Sequence, residues 1–175
     1  LTNAQNVLIQ NNQFVDVTHQ VRIDPNSTQN ILSDVPVEET RPLIPQGIVV
    51  DQGDAGYSET GNWLDSSLRG FNNSSTRYAS DVGATVRWNP NIAEAGHYKV
   101  YVYKVVHSQS DPAQDYVLYH NGQSDAFTVN FREGESGWHE LGTFYFSGEG
   151  EEYLEVIRDE ANGSTRADAA LFAKQ

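Results

Sequence analysis

Cysteine is absent from all 175 residues, and so is methionine. Without cysteine there is neither a disulfide framework nor a thiolate metal site. Export stays open, because a chain of this length hides roughly two-thirds of its unfolded surface and folds without staples. Without methionine the sequence has no initiator, so Leu1 is expected to arise by processing or by excision from something longer. Basic residues are scarce, eleven Lys and Arg against twenty-four Asp and Glu, for a formal charge of −13. Phosphate backbones and anionic lipid surfaces reward cations, so neither nucleic acid nor membrane is expected as a partner. No apolar run approaches the length of a membrane span, and no signal peptide stands at the N-terminus. The acidity fits an exported or salt-exposed protein, or clustered carboxylates that bind cations.

What is present is organised in three parts. Gln5-Asn6-Val7-Leu8 is echoed twenty-four residues later by Gln29-Asn30-Ile31-Leu32. That spacing suits one coil of a right-handed parallel β-helix, and a single coil cannot bury its own inward face. A chance QN-apolar-Leu pair in an ordinary β segment is the alternative. Residues 1–35 are therefore expected to be the terminal coil of a β-helix. Residues 36–47 hold Pro36, Pro42 and Pro45, which block helix and central strand and predict a stiff, extended linker.

Residues 48–175 read as β throughout. "GATVRW" puts Ala84, Val86 and Trp88 on one face and Thr85 and Arg87 on the other. "GHYKVYVYK" puts Tyr98, Val100, Val102 and Lys104 on one face, and Lys99, Tyr101 and Tyr103 on the outer one. Asn121-Gly122 between two alternating runs is a strong short-range hairpin signal. Gly96 and Gly142 are expected at turns or bulges. Seven or eight strands with no persuasive helix predict an all-β, antiparallel jelly-roll β-sandwich, preceded by the short β-helix remnant.

Five features in order carry a resemblance. They are the Asp-rich opening "DQGDAGYSETGNW", the strand "RYASDVGATVRW", "GHYKVYV" from Gly96, "GWHELGTFYF" from Gly137 to Phe146, and "ADAALF" from Ala167 to Phe172. Residues 48–175 thereby resemble the golvesin C-terminal-like domains, also described as xanthan-lyase carbohydrate-binding-like domains. Phe131 stands where relatives often carry Gln after Val-Asn. The resemblance implies a small jelly-roll module that accompanies secreted polysaccharide-degrading or cell-surface proteins and binds sugar. The β-helix remnant fits that implication, since many polysaccharide lyases and some glycoside hydrolases are right-handed β-helices. The expected partners are thus a polysaccharide and an upstream catalytic β-helix of the same chain. Given the acidity, the polysaccharide is expected to be an algal galactan such as agar, porphyran or carrageenan. A structural accessory that seals the β-helix and binds no sugar is the alternative.

Catalysis finds no support in the motifs. There is no G-x-S-x-G, no H-E-x-x-H and no phosphate-cradling G-x-x-x-x-G-K-[ST], and the five histidines lack metal-ligand spacing. Carboxylate pairs such as Glu151-Glu152 fall at element ends and predict no cleft of hydrolytic geometry. A sugar site needs an aromatic face with hydrogen-bonding planar groups, so the candidates are side chains that break the inward pattern. These are Tyr101 and Tyr103 on the outer face, Arg69, Arg77 and Tyr78 around "RGFNNSSTRY", and His107 and Asp111 in "HSQSDPAQD". Arg69, Arg77 and Arg132 would also read a sulfate or uronate through a guanidinium fork, with surface ion pairs as their alternative role. Trp63, Trp88 and Trp138 are expected to be structural. No cofactor is required. A structural Ca2+ is possible at Asp51 and Asp54, with Asp168 placed beside them by the resemblance.

Overall fold

In a chain this rich in alternating Val, Tyr and Trp, the pleat sorts side chains to two faces. The computed structural model describes residues 46–159 and 162–175, all within a unit spanning Leu43–Gln175. The β-helix coil expected at 1–35, and the linker at 36–47 except its last two residues, lie outside the described residues.

The strands are β1 (Ile48–Val50), β2 (Tyr57–Thr60), β3 (Leu64–Arg69), β4 (Ser75–Ala79), β5 (Thr85–Trp88) and β6 (Gly96–Lys104). They continue with β7 (Gln114–His120), β8 (Gln123–Val129), β9 (Gly137–Phe146), β10 (Tyr153–Ile157), β11 (Thr165–Ala167) and β12 (Ala170–Lys174). One 3-10 turn, Phe71–Asn73, interrupts them, and no helix among the described residues is long and apolar enough to cross a membrane. The strands form a four-stranded sheet ordered β1-β12-β6-β9, a five-stranded sheet ordered β2-β5-β10-β7-β8 and a three-stranded sheet ordered β11-β4-β3. Every strand pairing is antiparallel, and the fold is a jelly-roll β-sandwich.

The core lies where the inward faces of the two larger sheets meet. Val86, Trp88, Val100, Leu118, Leu154 and Phe172 are all essentially inaccessible. The indole N–H of Trp88 donates to the Asp168 carbonyl at 2.8 Å, and that of Trp63 donates to the Thr60 carbonyl at 3.1 Å. Both tryptophans are thus structural, as buried indoles with satisfied N–H groups are. Phe131 stacks on Tyr116 with ring centroids 6.4 Å apart and is buried in the core.

The predicted hairpin joins β7 to β8, with Asn121 at φ 47° and Gly122 at φ 72°. Two successive positive φ values are what a tight two-residue hairpin demands, and Asn-Gly supplies them at least cost. Glu152 pins the hairpin tip, accepting N–H bonds from Asn121 (2.8 Å), Ser147 (2.7 Å) and Gly148 (3.1 Å). Burial alone would raise the Glu152 carboxyl, but these N–H donors outweigh it and hold it below the usual range. Gly142 lies beside a bulge, where the β6–β9 register shifts between Val100 and Tyr101.

Strand β6 departs from the predicted two-faced pattern. It is interior to its sheet, and Tyr101 on the outer face is only 8% exposed, packed with Leu171 and Ala173 beside Val49 and Trp138. Lys104 is buried too, its ammonium donating to the Glu133 carbonyl at 2.6 Å.

Candidate functional site

Gln114, the first residue of β7, is fully buried, and its amide pairs with the backbone of β11. Its Oε1 accepts the Arg166 N–H at 2.7 Å, and its Nε2 donates to the Arg166 carbonyl at 2.7 Å. Both backbone polar groups of Arg166 are therefore fixed by one side chain. A second tie joins the loop after β6 to the segment before β11. Asp111 N–H donates to the Ser164 carbonyl at 3.0 Å and Ser164 N–H to the Gln109 carbonyl at 2.9 Å.

These constraints shape a polar cleft of about 430 Å³ between β3, β4, β11 and that loop. Its walls are Asp65, Ser66, Ser67 and Leu68 from β3, Tyr78 from β4, His107 and Gln109 from the loop, and Ser164 and Arg166. Arg166 forms the base, only 6% exposed. Its Nε donates to Ser110 Oγ, its Nη1 to Ser66 Oγ at 3.3 Å, and its Nη2 lies 3.4 Å from His107 Nδ1. Burial draws the guanidinium below its ordinary pKa, although an arginine stays charged at any working pH. Nδ1 of His107 also accepts the Gln109 N–H at 3.2 Å, so the proton of the neutral ring sits on Nε2. The cleft thus offers hydroxyl, amide, imidazole and guanidinium donors around one aromatic ring, Tyr78, and no nucleophile–base pair.

The candidates named from sequence divide sharply. Tyr78 and His107 line the cleft together, and Arg69 is exposed at the far end of β3, outside its lining. Arg77 is already engaged: Nε and Nη2 hold Glu59 at 2.7 and 2.9 Å, Nη1 holds Asp65 at 2.6 Å, and Nη2 also reaches the Trp63 carbonyl. Tyr101 is buried, as above. Tyr103 is half-buried, its ring 5.8 Å from Phe71 and 5.2 Å from Trp138, so it braces the 3-10 turn. Asp111 is buried, accepting the Ala113 N–H at 2.9 Å and facing Arg158 Nη1 at 3.6 Å. Arg132 ties loops together, donating to the carbonyls of Ser110 and Asn162. From Arg77 to Arg132, side chains expected to face a ligand are recruited by the fold: Arg77 by carboxylates, Arg132 by loop carbonyls, Tyr101 and Tyr103 by apolar packing, and Asp111 by a backbone N–H and Arg158. Arg166 and the serines were missed. The one available signal was a charged residue inside the apolar terminal run "TRADAALF".

The proposed metal ligands are partly brought together. Asp168, 4% exposed, is pushed up to about 7 by burial, reinforced by the nearby Asp51 charge and opposed by the Phe71 N–H on Oδ2 at 2.7 Å. Gly70 makes that approach possible, since a Cβ there would fall within 2.0 Å of Asp168 Oδ2. Asp51 is also raised, by burial first and by Asp54. Asp54 is committed to the turn, its Oδ2 accepting the Asp51 N–H at 2.8 Å. Among the described residues no three acidic or His groups converge as a metal cluster. Asp168 Oδ1, Gln52 Oε1 and Thr76 Oγ1 are nonetheless buried without partners. The Asp51 and Asp168 carboxylates, the latter with an unpartnered buried Oδ1, fit the donor chemistry of a hard divalent cation, though not the three-aspartate set expected.

Comparison with known proteins adds the following. The family model described as Golvesin C-terminal domain matches residues 48–174. A xanthan lyase from Bacillus sp. (strain GL1) is 31% identical over 147 residues, covering 78% of this chain and 16% of that protein. The chain thus spans about one-sixth of that relative's length. The structure of a Paenibacillus xanthan lyase superposes at a TM-score of 0.68 with 24% identity, covering 75% of this chain and 13% of that one. A CBM35 from Paenibacillus barcinonensis superposes at a TM-score of 0.49 with 19% identity, covering 74% of this chain and 100% of that one.

Proposed function

The chain belongs to the Golvesin C-terminal domain family, and from that membership we propose that it is a non-catalytic carbohydrate-binding module of a secreted polysaccharide-degrading enzyme. The observation that carries this reading is the polar cleft walled by Ser66, Tyr78, His107, Gln109 and Ser164 over Arg166. Clustered hydroxyl and amide donors beside one aromatic ring suit a sugar, whose hydroxyls bond in pairs while its C–H face rests on a ring. No pair of groups in the cleft is set out for nucleophilic or acid–base chemistry, so the module would anchor and its parent would cut. Anchoring raises the effective concentration of cleavable chains at the catalytic domain. An algal galactan such as agar, porphyran or carrageenan is the polymer class the reading starts from.

On the same reading, a divalent cation such as Ca2+ would be held by the Asp51 and Asp168 carboxylates. Its charge would relieve the repulsion between two carboxylates of which one is buried.

The test is affinity electrophoresis and calorimetry of the whole 175-residue chain against algal, plant and bacterial polysaccharides, with assay for new reducing ends. Binding without new ends is expected, at a Kd of about 10⁻⁵ to 10⁻³ M, or roughly −4 to −7 kcal/mol. Silence against every polymer, or turnover of one, overturns it. A second reading, a structural accessory to a catalytic β-helix, is favoured by one observation. The outer face of the β1-β12-β6-β9 sheet carries its own apolar cluster of Tyr101, Leu171, Ala173 and Trp138. Loss of stability of the parent enzyme on deletion of the module, with no polymer bound, would select that reading.

A further inference from the structure

We propose that the cleft selects an acidic polysaccharide, and that Arg166 is the group that reads its carboxylate or sulfate. The inference rests on the carbohydrate-binding reading and deepens it by naming the ligand's charge.

Among the described residues Arg166 has no counter-charge. The chain carries twenty-four acidic residues against eleven basic ones, and buried or half-buried arginines without a carboxylate need another partner: Arg132 takes the carbonyls of Ser110 and Asn162. Arg77 holds Glu59 and Asp65, Arg87 holds Glu155, and Arg158 faces Asp111. Arg166 is among the most deeply buried of the arginines, yet among the described residues no carboxylate lies within ion-pair distance of it. Its partners are a serine hydroxyl on either side and an imidazole nitrogen, all neutral or weakly held. A buried cation with neutral partners destabilises a fold unless something else uses it. Here the charge forms the base of an open cleft, with its backbone pinned on both sides by Gln114.

The geometry suits an oxyanion. The two Nη groups make only long contacts, at 3.3 and 3.4 Å, so a carboxylate or sulfate oxygen can displace Ser66 or His107 without breaking a strong bond. A guanidinium fork then binds it through two parallel N–H donors, and a dry setting strengthens that pair. The neighbouring Ser66, Tyr78 and Gln109 are left for the sugar hydroxyls. The overall charge of −13 repels a polyanion at long range, but at physiological salt that field is screened beyond about 8 Å. At short range the one carboxylate in the cleft wall, Asp65, is paired with Arg77 Nη1 at 2.6 Å, so the contact with Arg166 decides the selectivity.

The test compares polymers that differ only in charge, at 0.15 M salt, by calorimetry on the whole chain. One arm sets polygalacturonate against its carboxyl-reduced form, and the other sets a carrageenan against its desulfated form. The arm that discriminates identifies the anion as carboxylate or sulfate. Binding on the order of 10- to 100-fold tighter to the charged member of one arm is expected. Arg166→Gln should abolish the preference. Ser66→Asp guards against misfolding of that variant, because it supplies the missing counter-ion from within. It should raise the Tm and still abolish the preference. Equal binding to charged and neutralised polymers overturns the charge assignment and leaves carbohydrate binding standing. A folded variant that keeps the preference overturns the role of Arg166. No binding to any polymer brings down the carbohydrate reading itself, and this inference with it.

Discussion

Asp168 gives the sharpest handle on the stability of this fold. Its carboxyl is buried, faces the Asp51 charge and is pushed up to about 7 from an ordinary 3.8. A raised carboxyl binds its proton more tightly folded than unfolded, so its contribution is fully present below pH 3.8 and is lost as pH rises through 7. A rise of roughly three on the pH scale, at about 1.4 kcal/mol for each step of one, is a loss of about 4 kcal/mol, some 2.5 kcal/mol of it between pH 5 and pH 8. For a domain of this size that is a fall in Tm on the order of 10 °C. His139, lowered by burial and by the Lys104 charge, works the other way as pH falls towards 5, so the comparison must be made against a variant. Asp168→Asn keeps an oxygen for the Phe71 N–H but sets an amide where Oδ1 has no partner, costing about 1–2 kcal/mol at every pH. The slope is therefore the readout. In EDTA the parent protein should lose about 2.5 kcal/mol relative to the variant between pH 5 and pH 8, since His139 acts on both alike. Millimolar Ca2+ should restore the parent at pH 8 and leave the variant unchanged. Parallel pH profiles for the two proteins would refute the account of Asp168.

Four further outcomes are expected. Arg77→Ala should cost about 1–2 kcal/mol in urea unfolding, because Glu59 and Asp65 lose their partner. Trp88→Phe removes both core volume and the donor to the Asp168 carbonyl, and should cost about 2–3 kcal/mol by the same measurement. Glu152→Gln should cost about 1–2 kcal/mol at pH 7, and the difference should shrink as the parent is acidified. The sign follows from its lowered carboxyl, whose stabilisation is present above 4.5 and lost as pH falls through the folded value. Gly122→Ala, forced to φ 72° at the hairpin tip, should cost about 1 kcal/mol and lower amide-exchange protection around β7 and β8.

The fold was legible wherever burial on one face alone sets the alternation. Val86 and Trp88 point inward and Arg87 outward, as "TVRW" dictates, and Asn121-Gly122 closes its hairpin. Legibility failed in two physical situations. Strands β2, β3, β4 and β11 read "YSET", "LDSSLR", "STRYA" and "TRA", too polar or too short for a period-2 signal to stand out. Their backbones are strands because neighbours offer ladder partners, which no local pattern encodes. Strand β6 failed for the opposite reason. Both of its faces are covered, so the alternation that predicts an outward Tyr101 separates two buried environments.

The candidate site was legible only in part, and the reason lies in how an acidic protein uses its cations. Sequence reasoning favours arginines in polar loops, because there they look available. In three dimensions Arg77 meets Glu59 and Asp65, and Arg132 is drawn to loop carbonyls, so availability in sequence becomes engagement in the fold. The deeply buried guanidinium that meets no carboxylate among the described residues is Arg166, from a run that reads as core. Its alternation partner Asp168 does not neutralise it, because that carboxyl is turned onto the Phe71 N–H. Two opposite charges two residues apart in one buried segment thus remain unpaired with each other. One sits beneath the cleft and the other beside Asp51. A segment built only for stability would let them cancel or replace both with apolar residues of similar volume. Keeping them apart makes physical sense if each is completed from outside the chain, Arg166 by an anion and Asp168 by a cation.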